Sequence, residues 1–157
     1  MCTGPPQPII KDMLMTGASS IDAERAFARA RRTRRRAALA RMLRREPSEC
    51  GRLAVYDERK LRRSPARRHG IREIPLAEID GTLEVSKAAQ FDRDFRPASS
   101  AETRWQRVWI AEQRGAVLPP ISVVPTDGGY AIRDGHHRVS VAKARGATTI
   151  DAEVLAA

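Results

Sequence analysis

The length, composition and charge of the chain allow one sizeable folded domain and a basic extension. Of 157 residues, 41% are hydrophobic, which suits one core rather than two. The net charge of +10 belongs to the first part, because residues 1–70 hold 18 Lys and Arg against 7 Asp and Glu, whereas residues 71–157 hold 11 against 12. With no apolar run of about 18 residues, no signal-peptide pattern and two cysteines, the sequence predicts a cytoplasmic protein without a membrane span.

The first 70 residues predict a disordered terminus followed by a basic helical extension. Residues 1–20 mix prolines with glycines and small side chains, a composition typical of disorder. Residues 21–45 contain ten arginines and neither proline nor glycine, so we expect a helix whose apolar stripe is too thin to anchor a core by itself. A shorter helix over 53–63 and a linker over 64–70, with a solvated His69, complete the extension.

Arginines crowd the middle of the longer helix. The cluster consists of Arg31, Arg32, Arg34, Arg35 and Arg36. These cations repel one another, and a bound polyanion would reduce the repulsion. One interpretation is therefore nucleic-acid binding through residues 25–45, to phosphates and without sequence preference. The alternative is a solvated, arginine-rich helix without a partner.

Residues 71–157 predict a compact α+β domain with helices packed on one mixed sheet. The predicted elements, in chain order, are a strand over 72–76, a turn ending near Gly81, an irregular functional loop over 82–97, a helix from Ser99 to about Gly115, strands over 121–125 and 129–133 joined at Asp127-Gly128, a helix ending at Gly146, and a strand over 149–155.

The first helix of this domain carries both tryptophans. Ser99 and Glu102 have the spacing of a capping box, in which each side chain bonds the backbone of the other residue. Trp105 and Trp109 lie one turn apart on the stripe that must pack against the sheet. They are therefore interpreted as core residues rather than as a platform for stacking bases.

Two aspartates in the irregular loop allow two interpretations. In an extended segment, Asp92 and Asp94 point the same way and could share a metal ion. Alternatively, they pair with Arg93, Arg96 and other arginines, and this interpretation is favoured.

The polar segment Asp134 to Arg138, which reads DGHHR, is expected at a helix N-terminus, directly after a strand. Such an end presents unpaired N–H groups and attracts anions. Gly135 lets a ligand approach the backbone, and Arg138 and the imidazoles add donors. Asp134 could cap the helix, orient Arg138 or hold Mg²⁺. The alternative is ordinary turn chemistry with no ligand.

The order of strand, DGHHR, helix, glycine and strand over 130–151 resembles the signature segment of the ParB/sulfiredoxin-like superfamily. From about Ile71 onward, the chain is most similar to bacterial proteins described as ParB-like. Gly135, His137 and Arg138 match the G-x-H-R pattern, which binds nucleotide phosphates in that superfamily. His136 stands where sulfiredoxins carry a catalytic cysteine and partition proteins a glutamate. The resemblance thus implies a nucleotide-binding domain without sulfiredoxin chemistry, and it argues against partition-type CTP hydrolysis.

The resemblance also implies a cofactor and site residues. A nucleotide (ATP, ADP or CTP) with Mg²⁺ would bind at Asp134, Gly135, His136, His137 and Arg138, and Asp134 would face the metal. If the protein is an enzyme, either His136 or His137 or the carboxylates of the loop would act as a base. Free-serine kinases, which resemble the chain in this segment, place a catalytic carboxylate after the first strand, where Glu84 and Glu78 lie.

Two functions follow from the sequence. The first is a nucleotide-binding domain, either without turnover or as a Mg²⁺-dependent nucleotide hydrolase or phosphotransferase. The alternative is a non-enzymatic accessory protein that binds nucleic acid through its arginine-rich helix. A DNA nuclease ranks lower, because the segment has a single Asp and two-metal cleavage needs more metal ligands than that. A zinc site is poorly supported by adjacent histidines and distant cysteines.

Overall fold

The computed structural model describes the backbone of residues 9–61 and 69–155 and the side chains of residues 19–61 and 70–155. The helices and strands of these residues, in chain order, are α1 Ile9–Leu43, β1 Ala54–Val55, β2 His69–Pro75, β3 Ile79–Thr82, α2 Val85–Ala88, α3 Glu102–Gln113, β4 Ile121–Pro125, β5 Tyr130–Asp134, α4 His136–Ala144 and β6 Thr149–Val154. This arrangement confirms the predicted α+β fold, in which an arginine-rich helix precedes a small mixed sheet with helices packed on it.

The strands form one mixed sheet in the order β1-β3-β5-β4-β6-β2. The pairs β1–β3, β3–β5 and β4–β6 are parallel, whereas β4–β5 and β2–β6 are antiparallel. In the β3–β5 pair, Thr82 lies opposite Ile132. Because these two strands are parallel, the chain that follows β3 and the start of α4, which follows β5, lie at the same edge of the sheet.

The main core lies between the sheet and the segments that cross it. Consecutive residues of the central strands are fully buried, as expected for strands covered on both faces. They are Val123 and Val124 in β4 and Ala131 and Ile132 in β5. Phe91 and Phe95, from the loop between α2 and α3, are also buried in this cluster. The segment predicted as an irregular functional loop is therefore a packed part of the domain, and α2 lies within it.

Helix α1 packs on the domain through a second core. Ala26, Phe27 and Ala30 are buried together with Trp105 of α3 and Val141 of α4. The Phe27 and Trp105 rings lie 5.4 Å apart. The apolar stripe of α1 is thin, as expected from the sequence, but it meets a matching surface and contributes to a core after all.

Arg34 adds a polar attachment at the same face of α1. Its Nη1 donates to the backbone oxygens of Gln90, at 3.1 Å, and Arg96, at 3.2 Å. Burial lowers the pKa of the Arg34 guanidinium, while Asp92 acts in the opposite direction. None of the helices in the described parts of the chain is long and apolar enough to cross a membrane.

The domain boundaries at residues 20 and 70 stay predictions, but α1 continues across residue 20 and β1, from the predicted extension, joins the sheet. Helix α1 already begins at Ile9, although residues 1–8 of the predicted disordered terminus lie outside the described part. The short helix predicted over 53–63 is wrong. In its place, β1 joins the sheet beside β3 and a 3-10 turn spans Glu58–Lys60. Most of the predicted linker, residues 62–68, and the side chain of His69 also lie outside the described residues.

Within residues 71–155, most elements are confirmed. The first strand, the β4–β5 hairpin and α4 with its flanking strands occur as predicted. The Thr126 N–H donates to the Gly129 carbonyl across Asp127 and Gly128. The capping box is wrong: a 3-10 turn over Ser99–Ala101 precedes α3, and no side chain caps the helix. Glu102 instead accepts a hydrogen bond from Gln106.

Both tryptophans are packed as predicted for core residues. Trp105 is fully buried, and its indole N–H donates to the Ser140 hydroxyl at 2.9 Å. Trp109 stacks on Trp105 with an angle of 14° between the rings. Neither ring is free to stack on a nucleic-acid base.

Candidate functional site

The DGHHR segment forms the predicted strand, turn and helix start. Gly135 precedes α4 with a φ of 107°, a left-handed conformation that favours glycine. A Cβ at this position would lie 2.4 Å from Cγ2 of Ile121. Both the backbone angle and the lack of space therefore require glycine at this turn.

The first turn of α4 presents backbone donors. Val139 is the first residue whose N–H has an intrahelical acceptor, the carbonyl of Gly135 at 3.0 Å. The N–H groups of residues 136–138 therefore lie at the open, positive end of the helix dipole. No side chain caps this end. The arrangement suits an anion.

His136 is buried and held in one position. It is 3% exposed, and its Nε2 lies 2.6 Å from Oγ1 of Thr82 in β3. The same hydroxyl accepts a hydrogen bond from the Glu84 N–H. The imidazole stacks on Phe91 with an angle of 19° between the rings. Burial lowers the pKa of His136 to about 4, with a further contribution from Lys87, so the ring is neutral at pH 7.

His137 is buried beside the same phenyl ring but makes no side-chain hydrogen bond among the described residues. It is 7% exposed, and it meets Phe91 edge-on, with ring centroids 5.2 Å apart. Burial also lowers the pKa of His137 to about 4, followed by the effects of Arg104 and Lys87. The ring therefore brings an uncommitted nitrogen donor or acceptor to the helix start.

Two cations from other elements lie near the start of α4. Lys87 of α2 and Arg104 of α3 each lower the pKa of both imidazoles. Such effects require the charges to be close, since electrostatic interactions weaken with distance and solvent screening. Neither cation makes an ion pair within the described residues. Together with the helix end, they create a region of positive potential around two neutral rings.

Arg138 and Asp134 are engaged with each other. The Arg138 guanidinium donates to Oδ2 of Asp134 at 2.7 Å, to the Pro120 carbonyl at 2.7 Å and to the Pro119 carbonyl. Arg138 therefore ties α4 to the segment before β4. Of the three predicted roles for Asp134, orienting Arg138 is the one that the geometry provides. The described residues contain no cluster of three or more potential metal ligands.

The topology separates Glu84 from Glu78. Glu78 precedes β3, and its carbonyl lies beside Gly129 of the hairpin. Glu84 follows β3, and its backbone N–H donates to the Thr82 hydroxyl that also contacts His136. Of the two glutamates, Glu84 is therefore the one at the edge of the sheet where α4 begins.

Asp92 and Asp94 pair with arginine, as favoured from the sequence. Asp92 is 2% exposed and accepts from the backbone N–H groups of Asp94 and Arg96. The Arg96 guanidinium lies 3.4 Å from Asp92 and 2.8 Å from Asp94. These carboxylates stabilise the loop that carries Phe91 and Phe95.

The arginine cluster of α1 does not form one surface. Arg34 faces the domain, and Arg31 is half-buried with its guanidinium over the Phe27 ring. Arg32, Arg35 and Arg36 are exposed. Arg34 was grouped with the nucleic-acid ligands from sequence alone, but its guanidinium is already bonded to backbone carbonyls inside the protein.

Sequence reasoning missed several residues of the site. Thr82, Lys87, Phe91 and Arg104 come from β3, α2, the loop and α3, and no local pattern connects them to DGHHR. The one available signal was Phe91, an aromatic residue in a segment otherwise interpreted as loop.

Comparisons with known proteins give one relevant likeness. No family model and no curated protein sequence matches the chain. The structure is similar to that of sulfiredoxin from Arabidopsis thaliana, with a TM-score of 0.41 and 21% sequence identity, over 55% of this chain and 85% of that one. At this level of likeness, neither activity nor ligand carries over to this chain.

Proposed function

We propose that the protein binds a nucleotide through its phosphates at the start of α4. The observation that carries this proposal is the open start of α4, where Gly135 forms the turn, no side chain caps the helix and Val139 is the first residue with an intrahelical acceptor. Lys87 and Arg104 act electrostatically on both imidazoles there, so they add positive charge to this region. A phosphate there would accept from the backbone N–H groups of residues 136–138 and from both cations. The resemblance of DGHHR to a phosphate-binding segment supports the same ligand.

A cleft beside α2 offers room for the rest of a nucleotide. Its volume of about 810 Å³ is in the range of small-molecule sites. It is lined by Val55, Tyr56, Asp57, Glu58, Arg59, Leu61, Leu83 and Val85. None of these residues belongs to α4, but Leu83 and Val85 flank Glu84, which follows β3 at the edge of the sheet where α4 starts. Apolar and aromatic side chains there suit a flat base.

The two imidazoles suit phosphate binding better than general-base catalysis in the free protein. A group with a pKa of about 4 is neutral at pH 7 and a weak base. Bound phosphate would raise both pKa values, because a nearby negative charge favours the imidazolium. His137, which has no side-chain hydrogen bond among the described residues, would then donate to phosphate or take a proton from a nucleophile.

Turnover would take the form of nucleotide hydrolysis or phosphoryl transfer. Such reactions depend chiefly on positioned positive charge, which Lys87, Arg104 and the helix end supply. In such a reaction, Glu84 would orient a water or a hydroxyl. Mg²⁺ would bind mainly to the phosphates, with Asp134 as the one carboxylate of the DGHHR segment, and it would supply further charge neutralisation.

The test is calorimetric titration of the full chain with ATP, ADP, CTP and GTP, with Mg²⁺ and with EDTA. Lys87→Gln and Arg104→Gln should each lower the affinity for the nucleotide that binds by about tenfold. This is the effect expected for the loss of one charged phosphate contact worth about 1.4 kcal/mol. Arg107→Gln is the matched control, because Arg107 is an exposed arginine on the same helix as Arg104.

Each outcome has a clear meaning. If no nucleotide binds, the proposal is wrong. If a nucleotide binds but only Arg107→Gln lowers its affinity, the nucleotide binds elsewhere. Arg138→Ala is a poor test, because it would also break the attachment of α4 to Pro119 and Pro120. The full chain is needed because β1 and α1 belong to the sheet and the second core.

A second function, nucleic-acid binding, is favoured by one feature of α1. Exposed arginines recur at helical spacing on the face opposite the buried stripe: Arg25, Arg32 and Arg36. Such a stripe can follow the phosphates of a nucleic-acid backbone without reading bases. We propose that this stripe, rather than the whole arginine cluster, would bind DNA or RNA.

A further inference from the structure

A cleft between α1 and α4 lies apart from the candidate phosphate site. Its volume is about 550 Å³, and α1 forms one wall with Ala26, Arg29, Ala30 and Thr33. The opposite wall includes Lys143 and Ala144 at the end of α4. No residue of the DGHHR segment lines it.

The walls of this cleft combine small apolar side chains with positive charge. Ala26 and Ala30 are buried on the α1 side and leave room that larger residues would fill. The lining holds three cations, Arg29, Arg96 and Lys143, against one carboxylate, Asp94. Asp94 is already paired with Arg96 at 2.8 Å. Arg29 and Lys143 make no ion pair within the described residues.

Lys143 is the most distinctive group of the cleft. Its Nζ lies 4.9 Å from the centroid of the Phe95 ring, and burial lowers the pKa of this ammonium. Phe95 itself has a φ of 61°, an uncommon left-handed conformation for an aromatic residue. Strained backbone of this kind persists only where the surrounding structure holds it, and it often marks a binding site. Here it places the ring under the ammonium.

We propose that this cleft binds a small organic acid, with its carboxylate at Lys143 and Arg29 and its flat apolar body against Trp109 and Ala144. A partly desolvated ammonium gains most from an anion, because its hydration is already reduced. Since the opposite walls belong to α1 and α4, the bound acid holds the basic helix onto the domain.

The test uses 1-naphthoate and benzoate, with 1-naphthamide and benzamide as neutral ligands of the same shape. Binding to the full chain is followed by isothermal titration calorimetry, which reports the acids and the amides in the same way. The expected Kd of naphthoate is on the order of 1 mM or tighter. Lys143→Gln should weaken it about tenfold and Lys143→Arg should retain it, whereas Arg114→Gln, at an exposed arginine after α3, should have no effect.

Ala144→Leu provides a second variant that leaves the charge unchanged. Ala144 is exposed and lines the cleft, so a larger side chain should fill the space without disturbing the core. Loss of naphthoate binding in this variant and slower amide hydrogen exchange in residues 23–34 on ligand binding would support the proposal. Equal binding of the acids and the amides, no binding of either acid, or unchanged affinity in both Lys143→Gln and Ala144→Leu would overturn it.

Discussion

Phe27→Ala tests whether α1 belongs to the cooperative folding unit. Phe27 is 2% exposed and packs on Trp105, with ring centroids 5.4 Å apart. Removing a buried phenyl ring costs about 3–5 kcal/mol, from lost transfer free energy and the cavity left behind. The aromatic pair accounts for about 0.5–1.5 kcal/mol beyond its buried area. We therefore expect the free energy of unfolding to fall by about 3–4 kcal/mol.

The assay is urea unfolding of the full chain, followed by tryptophan fluorescence and by circular dichroism. Met42→Ala is the matched control, because Met42 lies on the same helix and is 75% exposed. It should change stability by less than about 0.5 kcal/mol. If Phe27→Ala behaves like this control, α1 does not dock on the domain and the second core is not part of the folded unit.

Four further predictions concern the turn, the docking contact, the histidines and the arginine stripe. Gly135→Ala should destabilise by about 2–4 kcal/mol in thermal or urea unfolding, because a Cβ adds left-handed strain and collides with Ile121; an unchanged midpoint would contradict the turn geometry. Arg34→Met should cost about 1–3 kcal/mol, since two backbone acceptors lose their donor, whereas Arg35→Met, at an exposed site, should cost little. His136 and His137 have pKa values of about 4 in the folded state against 6.5 in the unfolded state, so the unfolded state takes up protons first as the pH drops. The free energy of unfolding should therefore fall between pH 6.5 and pH 4, by at most about 1.4 kcal/mol per pH unit for each imidazole. A urea midpoint that stays constant over this interval would show that the rings are not buried in their neutral form. Arg32→Gln should reduce the slope of log K against log salt for DNA by about 0.9, the value expected per phosphate contact, and an unchanged slope would exclude Arg32 from the interface.

The elements with strong local patterns could be predicted from the sequence. Asp127 and Gly128 mark the turn between β4 and β5, β6 alternates, and Gly135 and Gly146 mark the ends of α4. The shortest strands could not be predicted in this way. Segment Ala54–Val55 is too short to show the alternation of apolar and polar residues that is typical of strands. Segment Ile79–Thr82 contains Asp80 and Gly81, which are uncommon in strands. Both strands exist because a neighbouring strand supplies their hydrogen-bond partners.

The docking of α1 and the composition of the site depend on tertiary structure. The buried face of α1 consists mostly of alanines, with Phe27 and Arg34, so its hydrophobic signal is weak until Trp105 and Val141 are placed against it. Similarly, DGHHR could be recognised as a helix start, but Lys87 and Arg104 approach it only after the chain folds. The role of Arg138 was also beyond sequence reasoning, because its acceptors Pro119 and Pro120 carry no visible signal.

The most direct test of phosphate binding at α4 is a backbone amide NMR titration of the full chain with Mg²⁺ and the nucleotides that might bind, ATP, ADP, CTP and GTP. We predict saturable shifts in the amides of His136, His137 and Arg138, accompanied by a rise in the pKa of both imidazoles. These shifts should be absent in Lys87→Gln/Arg104→Gln. Shifts confined to the arginines of α1, or none at the start of α4, would contradict the proposed phosphate site and leave the arginine stripe as the anion-binding surface.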